Sequence, residues 1–519
     1  MCEAIDARKT AVTQYESRRF IVSASGMGFV SRDTHRRGHL LANSPTPTLA
    51  FLAMTDAVLP RKTFFSGIAL PVFSWALPFH SLMVAVLFGA LGFSAGAVRG
   101  FAAWKEMAVV GLIVLVVIRA ALGKGPRVSI SWVDIAVGSL LFIACAFFIA
   151  GNVWLRQNLP VDAARYGLRD IAFFLLLYFV GRASPEIADD PDTLRRLYII
   201  AVLVSAIAIA EWFLVTPDKL VLIGVAAYFQ DFLNVSAFTT GNEFGLPMNY
   251  WSRIGNVNVQ RAGSVYLNSQ GFAVPFLILM PAATAWFFGA VKRTMSMRIE
   301  YGIIWLGLLL SITRMTIIVC ALQLLLVILL LRKPQWAVAW LTGGVALLLI
   351  ALVAMPGLAG FVWDTLTWQS GSSASHLNDW RKGIEAFFDQ PWGAGLGTTD
   401  QSAIRSGLSP LTADNGYLKY AVELGFQGLV ALIAIFIGFG ITSFRVALHG
   451  STTYRRMLGL VVLLTTVGVM INALTGVVFN ALVLSYLYFW FAGVIVTIAQ
   501  QERAPSRAPQ TIPLELAPA

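Results

Sequence analysis

Charged residues are scarce in this chain. Only 13% of its 519 residues are Asp, Glu, Lys or Arg, whereas 57% are hydrophobic, and the mean hydropathy is +0.72. A typical soluble domain is about a quarter charged, and its helices need a polar face, which runs such as residues 337–355 lack. The shortage of charge excludes one large soluble core and predicts a protein that crosses a membrane many times.

Cysteine is almost absent, which excludes a disulfide framework or a cysteine-based metal site. The three cysteines are Cys2, Cys145 and Cys320, and the last two lie within apolar runs as expected of packing residues. The acidic residues form no cluster that would hold a divalent metal, so we predict no metal and no cofactor. No basic stripe is interleaved with aromatic residues, which excludes nucleic acid as a partner. We interpret the net charge of +11 as a bias of Lys and Arg toward cytoplasmic loops.

An early apolar stretch is also missing, so no cleavable signal peptide is predicted. We expect three regions. Residues 1–62 would form a basic, disordered cytoplasmic tail, residues 63–499 a transmembrane helical domain, and residues 500–519 a Pro-rich, disordered cytoplasmic tail.

What the chain has in abundance is apolar segments of about the length of a bilayer crossing. They predict an all-α, polytopic bundle of about 12 helices, with a large, partly helical periplasmic loop at 356–416. The stretch 64–98 is long enough for one crossing or two, and an even number of crossings before the basic loop at 124–127 favours one crossing plus a short interfacial piece. The segments lie near 64–98, 106–122, 131–151, 168–182, 196–214, 268–290, 300–313, 315–331, 335–355, 417–443, 457–475 and 478–498.

Three basic loops orient the second half of the chain. They are residues 292–298, 332–333 and 445–456, and placing them all in the cytoplasm agrees with strict alternation of the spans. The loops 215–267 and 356–416 then lie on the outer side of the membrane.

Several arginines occur where the predicted spans meet this outer side. Arg314 interrupts an apolar run, and a charge at the centre of a spanning helix costs about 2.5–3.5 kcal/mol. Arg261 and Arg253 precede a span, although positive charge on the outer side is unusual. An anion-binding role explains these positions. The alternatives are snorkelling of Arg314 to water and ordinary juxtamembrane charge.

The outer loop offers a second set of candidates. Residues 377–389 predict a short amphipathic helix that carries Asp379, Trp380 and Arg381 and is ended by the turn PWGAGLG, although Arg381 could equally lie on a solvated face. Asp414 stands at the entrance to a span, where a carboxylate can be a helix cap, a catalytic group or both.

These motifs together resemble the O-antigen ligase and polysaccharide polymerase superfamily of bacterial envelopes over roughly residues 130–498. The resemblance rests on their order, spacing and sidedness. The motifs are Arg-Ala-Gly at 261–263, Ser-x-x-Arg at 311–314, Trp-Arg at 380–381 followed by PWGAGLG, and DNGYLKYAVELGFQG at 414–428. Ligases of the family carry a histidine before the Asn, and this chain has Asp414 there, which is more similar to the polymerases.

The resemblance implies glycan transfer in the inner membrane, on its periplasmic side. Donor and acceptor would both be glycans on undecaprenyl diphosphate, and a chain-length regulator and a flippase would be partners. Arg261, Arg314 and Arg381 would bind the diphosphate without a metal, and Asp414 would be the general base. Other candidates for substrate binding are Arg253, His376, Asp379, Trp380 and Asn415.

Two other functions stay open at this point. One is a ligase that moves a finished glycan to a lipid core or a protein. The other is a transporter of lipid-linked oligosaccharide, which would carry its charges near the middle of the bilayer. The tryptophans 363, 368, 380 and 392 would stack on sugar rings or, equally, pack at the membrane interface.

Overall fold

The computed structural model describes residues 62–503, apart from 127–128, 156–157, 236–243, 255–256, 291, 331–333, 355–356, 368, 370 and 413. Both predicted terminal tails therefore lie almost entirely outside the described residues, as do Trp368 and the basic pair at 332–333.

Helices make up most of the described chain, which confirms the predicted all-α membrane bundle. Eight helices are long and apolar enough to span a bilayer. Residues 64–98 contain one candidate span, Phe65–Ala90, and the start of a second, Ala95–Ala121. The single complete span in this stretch agrees with the expected number of crossings. The second span begins about ten residues earlier than predicted, because a short helix joins it.

The first half of the bundle is α1 (Leu70–Ala85) within the first span, α2 (Ala95–Ala102) and α3 (Trp104–Ala121) in the second, α4 (Trp132–Trp154), α5 (Val161–Arg182) and α6 (Pro191–Leu214). Two short helices follow, α7 (Pro217–Leu222) and α8 (Val225–Ala227), and then an antiparallel hairpin of β1 (Trp251–Ile254) and β2 (Val257–Gln260).

The second half is built in the same way around one large connection. It comprises α9 (Ser269–Ala273) and α10 (Phe276–Gly289) in one span, α11 (Met295–Leu310), α12 (Arg314–Leu330), α13 (Pro334–Ala354), the loop helices α14 (Leu358–Leu366), α15 (Gly371–Asp389) and α16 (Asp400–Arg405), and finally α17 (Gly416–His449), α18 (Thr453–Asn472) and α19 (Leu482–Gln501).

The core of the bundle is centred on α19, of which 94% of the spanning window is buried. It approaches α5 so closely that a Cβ on Gly181 would lie 2.0 Å from the Trp490 carbonyl oxygen. Small residues allow helix backbones to approach in this way in membranes. The contact fixes α5, which carries part of the candidate site at its other end.

Two ion-pair networks close the end of the bundle at which α5 and α19 finish. Arg182 holds Asp134 in a bidentate pair at 2.8 and 3.0 Å. Arg455 holds Asp189 at 2.8 and 2.7 Å. Because each guanidinium here has a carboxylate partner, we interpret these arginines as structural. The candidate site lies at the opposite end.

Candidate active site

A cavity of about 1350 Å³ opens at the end of the bundle formed by the start of α5 and of α12. Two sets of charged side chains line it. The arginine group, contributed by β1, the segment after β2 and the start of α12, consists of Arg253, Arg261 and Arg314. The mixed-charge group, contributed by α3, α5 and α16, consists of Lys105, Glu106, Arg169, Asp170, Asp400 and Arg405.

Two of the sequence motifs meet in the arginine group. Arg261 Nε donates to the Ser311 carbonyl oxygen and Arg261 Nη2 to Thr313 Oγ1, both at 2.9 Å. The Arg-Ala-Gly segment thus closes the end of α11, where carbonyl groups lack helical partners. The predicted break at Ser311–Arg314 is a turn in which Ile312 has a positive φ of 50°.

Arg261 differs from the structural arginines because these hydrogen-bond partners are neutral oxygens. Burial and the neighbouring Arg314 lower the pKa of Arg261 to about 10, so it stays charged at neutral pH. The guanidinium groups of Arg261 and Arg314 repel each other beside the cavity. An anion bound between them would remove this repulsion, so the pair favours anion binding.

Glu211, a residue that the sequence analysis missed, positions the Arg-Ala-Gly segment. Its buried carboxylate on α6 accepts the backbone N–H of Gly263 at 3.1 Å and also that of Ser264. An acidic residue near the end of an apolar span was a signal for such a role.

Asp414 lines the cavity, and its side chain is 37% exposed. Its Oδ2 lies 3.3 Å from Nδ1 of His376 on α15, so the fold brings a histidine to Asp414 that is distant in the sequence. Asp379 is half-buried and does not line the cavity. Partial burial and the neighbouring Asp414 raise the pKa of Asp379.

Asn415, and not Asp414, caps the helix that follows. Its Oδ1 accepts the backbone N–H of Tyr417 and Leu418, both at 2.9 Å, and its Nδ2 donates to the Leu474 carbonyl oxygen at 3.1 Å. These contacts show that the buried Asn415 is the N-cap of α17, so the Asp414 carboxylate is not needed as a cap.

Arg381 does not join the other arginines. The helix that carries it begins at Gly371, six residues before the predicted start. Arg381 follows the cavity-lining His376 by five positions, which is about 140° around a helix. Its exposed side chain instead pairs with Glu385 at 2.8 Å, so its placement does not support the predicted catalytic role.

We therefore expect Arg381→Ala to change transfer activity less than twofold, because an exposed i,i+4 pair contributes only about 0.3–0.5 kcal/mol. The glycan transfer that the sequence resemblance implies, measured in cells that carry the variant at matched protein level, tests this expectation. A loss comparable to that of a cavity arginine would contradict the assignment.

The predicted sugar-stacking tryptophans also lie apart from the cavity, as far as the described residues show. Trp363 and Trp392 are exposed, Trp392 packs edge-on against Phe426, and Trp380 is half-buried on α15. Among the described tryptophans, the cavity lining includes Trp251, which stands beside the arginine group on β1.

The PWGAGLG turn is a structural brace for the loop. Gly425 breaks α17 with a φ of 74°, and the freed carbonyl groups of Val422 and Glu423 accept the N–H groups of Ala394 and Gly395 at 2.6 and 3.1 Å. On its other side, a Cβ on Gly397 would lie 2.0 Å from the Ala163 carbonyl oxygen. Only glycine allows this approach at positive φ.

The sequence analysis missed the mixed-charge group. Its members are spread over three helices, and each pair of charged neighbours, such as Lys105–Glu106 and Arg169–Asp170, looks like an ordinary helix pair. Behind the group, Lys419 and Glu423 form a fully buried pair at 3.8 Å. Burial raises the pKa of Asp400, although Lys419 and Asn480 favour its ionised form. Charged residues inside apolar spans were the available signal.

Comparison with known families identifies part of this chain. The family described as O-antigen ligase matches residues 301–433, which include Arg314, His376 and Asp414 but neither Arg261 nor Asp170. No curated protein matches the chain. The match is narrower than the predicted 130–498, and it supports glycan transfer of the ligase or polymerase type in a multi-pass membrane protein. The match at residues 301–433 confirms the predicted resemblance to the O-antigen ligase and polymerase superfamily.

Proposed function

We propose that this protein is a polysaccharide polymerase of the O-antigen or exopolysaccharide type. It transfers a glycan from undecaprenyl diphosphate to a sugar hydroxyl of another lipid-linked repeat unit. The observation that carries the proposal is that Arg253, Arg261, Arg314 and Asp414 line one cavity at one end of the bundle.

The arginine group binds the diphosphate of the donor. Guanidinium groups match phosphate oxygens in bidentate geometry, and Arg261 is already oriented by Ser311 and Thr313. As the bond between the anomeric carbon and the phosphate oxygen breaks, the electron pair stays on the diphosphate. Preorganised cations stabilise this developing charge.

Asp414 accepts the proton of the acceptor hydroxyl, whose oxygen then forms the new bond to the anomeric carbon. Its carboxylate does not cap the helix, because Asn415 does so, and it is partly exposed at the cavity. His376, 3.3 Å away, orients the carboxylate.

The same end of the bundle would face the periplasm of a bacterial inner membrane. This orientation follows from the positive-inside rule, because Arg445, Arg455 and Arg456 lie at the opposite end. Lipid-linked glycans, a flippase that supplies them and a chain-length regulator are then the expected partners.

A ligase is the second candidate, because His376 lies beside Asp414 and provides an imidazole near the place where ligases of the superfamily carry their histidine. Such an enzyme would move a finished glycan to a lipid core or a protein.

Purified full-length protein separates the two functions when lipid-linked repeat units are its only substrate. A polymerase makes a ladder of longer lipid-linked chains without another acceptor and in the presence of a chelator. Product that forms only after a core lipid or protein acceptor is added would assign the protein as a ligase. Absence of product under both conditions would contradict glycan transfer.

A further inference from the structure

The mixed-charge group has equal numbers of positive and negative side chains. Lys105 lies 3.1 Å from Glu106, and Arg169 lies 3.9 Å from Glu106 and 3.8 Å from Asp170. Asp400 accepts a hydrogen bond from Asn480. The group as a whole therefore has no net charge, and this part of the cavity has little net attraction for a second diphosphate.

The mixed-charge group offers both hydrogen-bond acceptors and hydrogen-bond donors to the cavity. The Asp170 carboxylate accepts from Ser402 Oγ at 2.7 Å, and Arg405 Nη2 donates to Gln401 Oε1 at 3.0 Å. A sugar hydroxyl donates one hydrogen bond and accepts others, so paired carboxylate, amide and guanidinium groups suit it. The cavity lining also contains Tyr486 and Tyr228, whose rings offer apolar faces.

An ion-pair network that only held the helices together would be expected to satisfy its buried polar atoms. Here Glu106 Oε2 and Arg405 Nε are buried and have no hydrogen-bond partner among the described residues. The two residues line the same cavity from different helices. One is an acceptor and the other a donor, which is the pair of functions that a hydroxyl group completes.

We propose that the mixed-charge group is a binding site for an uncharged, hydroxyl-rich glycan, next to the diphosphate site of the arginine group. This inference rests on the proposed function. It divides the cavity into one part that binds the phosphates and one that binds sugars of the donor or the acceptor.

The test uses two conservative variants of the full-length protein, Asp170→Asn and Asp400→Asn. Asn keeps the shape and the ability to accept a hydrogen bond at each position. At Asp400, where φ is 53°, it is also among the residues that tolerate this conformation best. Asp162→Asn is the matched control on α5, because Asp162 is exposed and pairs with Arg165 at 3.2 Å.

The probes are undecaprenyl diphosphate without sugar and undecaprenyl diphosphate that carries the repeat unit, titrated against protein in nanodiscs. Both site variants should bind the bare lipid within twofold of wild type. They should bind the glycosylated lipid about tenfold more weakly, because each variant replaces a hydrogen bond to a charged acceptor by a weaker one to a neutral amide oxygen. The control should bind both as wild type does.

A third probe, the free repeat-unit glycan as acceptor, distinguishes the source of the sugar. If the site variants have a raised KM for this acceptor, the site binds the acceptor. If their KM is unchanged but they bind the lipid-linked glycan more weakly, the site binds the donor.

The outcomes separate the inference from the proposed function. If wild-type protein binds neither lipid, the proposed function itself fails. If wild type binds both lipids and neither folded variant discriminates between them, the glycan site is wrong while the function stands. If one of the two site variants melts at a lower temperature than the control, the binding data of the other variant still test the glycan site.

Discussion

Replacing Arg314 with Lys should reduce polymer formation about a hundredfold while the protein still inserts and folds. Lysine keeps the positive charge but loses the planar fork that binds two phosphate oxygens at once. Removing a single preorganised donor from a transition state typically costs about 10²–10³-fold. Arg314 begins α12 at the cavity, and a residue that only snorkelled to water would tolerate the change.

The measurement is the rate of ladder formation by purified protein. Arg445→Lys is the matched control, because Arg445 is exposed at the opposite end of the bundle, and it should retain full activity. Near-normal polymer from the Arg314→Lys variant would show that Arg314 serves membrane topology and not the donor.

Asp414→Asn should lose about 10²–10⁴-fold in rate, the usual contribution of a general base. The amide keeps the shape of the side chain but cannot take the proton. Loss of a helix cap cannot explain such an effect, because Asn415 provides the cap. A ladder that forms at the wild-type rate in this variant would move the base elsewhere, with the adjacent Asp379 as the next candidate.

His376 variants determine whether the histidine only orients Asp414. His376→Asn places an N–H group close to the position of Nδ1, 3.3 Å from Asp414 Oδ2, and should retain most of the rate. His376→Leu removes the polar group beside Asp414 and should lose more, with the pH profile still set by one carboxylate. Equal and near-complete loss in both variants, with the pH profile changed, would make His376 the base and favour the ligase reaction.

The sequence predicted the bundle well because each membrane-spanning segment must by itself be apolar and long enough to cross the bilayer. An apolar run of about 20 residues has few alternatives to a spanning helix, and Phe65–Ala90 or Leu482–Gln501 could be located without knowing their neighbours. The boundaries moved at helix ends, as at Gly371 of α15, which lies six residues before the predicted start.

The sequence predicted residues of the candidate site only where a charged residue interrupts an apolar segment. Arg261 and Arg314 are unexpected in apolar surroundings, and the fold brings both to the cavity. Arg381 lies on an amphipathic helix, and the hydrophobic period of such a helix does not show which of its polar residues reach the cavity. The proximity of His376 to Asp414 depends on how α15 packs, for instance on Gly383 against Leu418, and no local pattern encodes it.

The glycine brace also limits how this protein can be recombined with its relatives. A Cβ on Gly167 of α5 would lie 2.5 Å from the Gly397 amide nitrogen, and one on Gly425 would lie 2.4 Å from the Trp392 carbonyl carbon. The loop at 390–397 thus interlocks with two helices that are far apart in the sequence. An exchange of the connection between α13 and α17 that is intended to transfer sugar specificity would therefore have to include matching segments of α5 and α17.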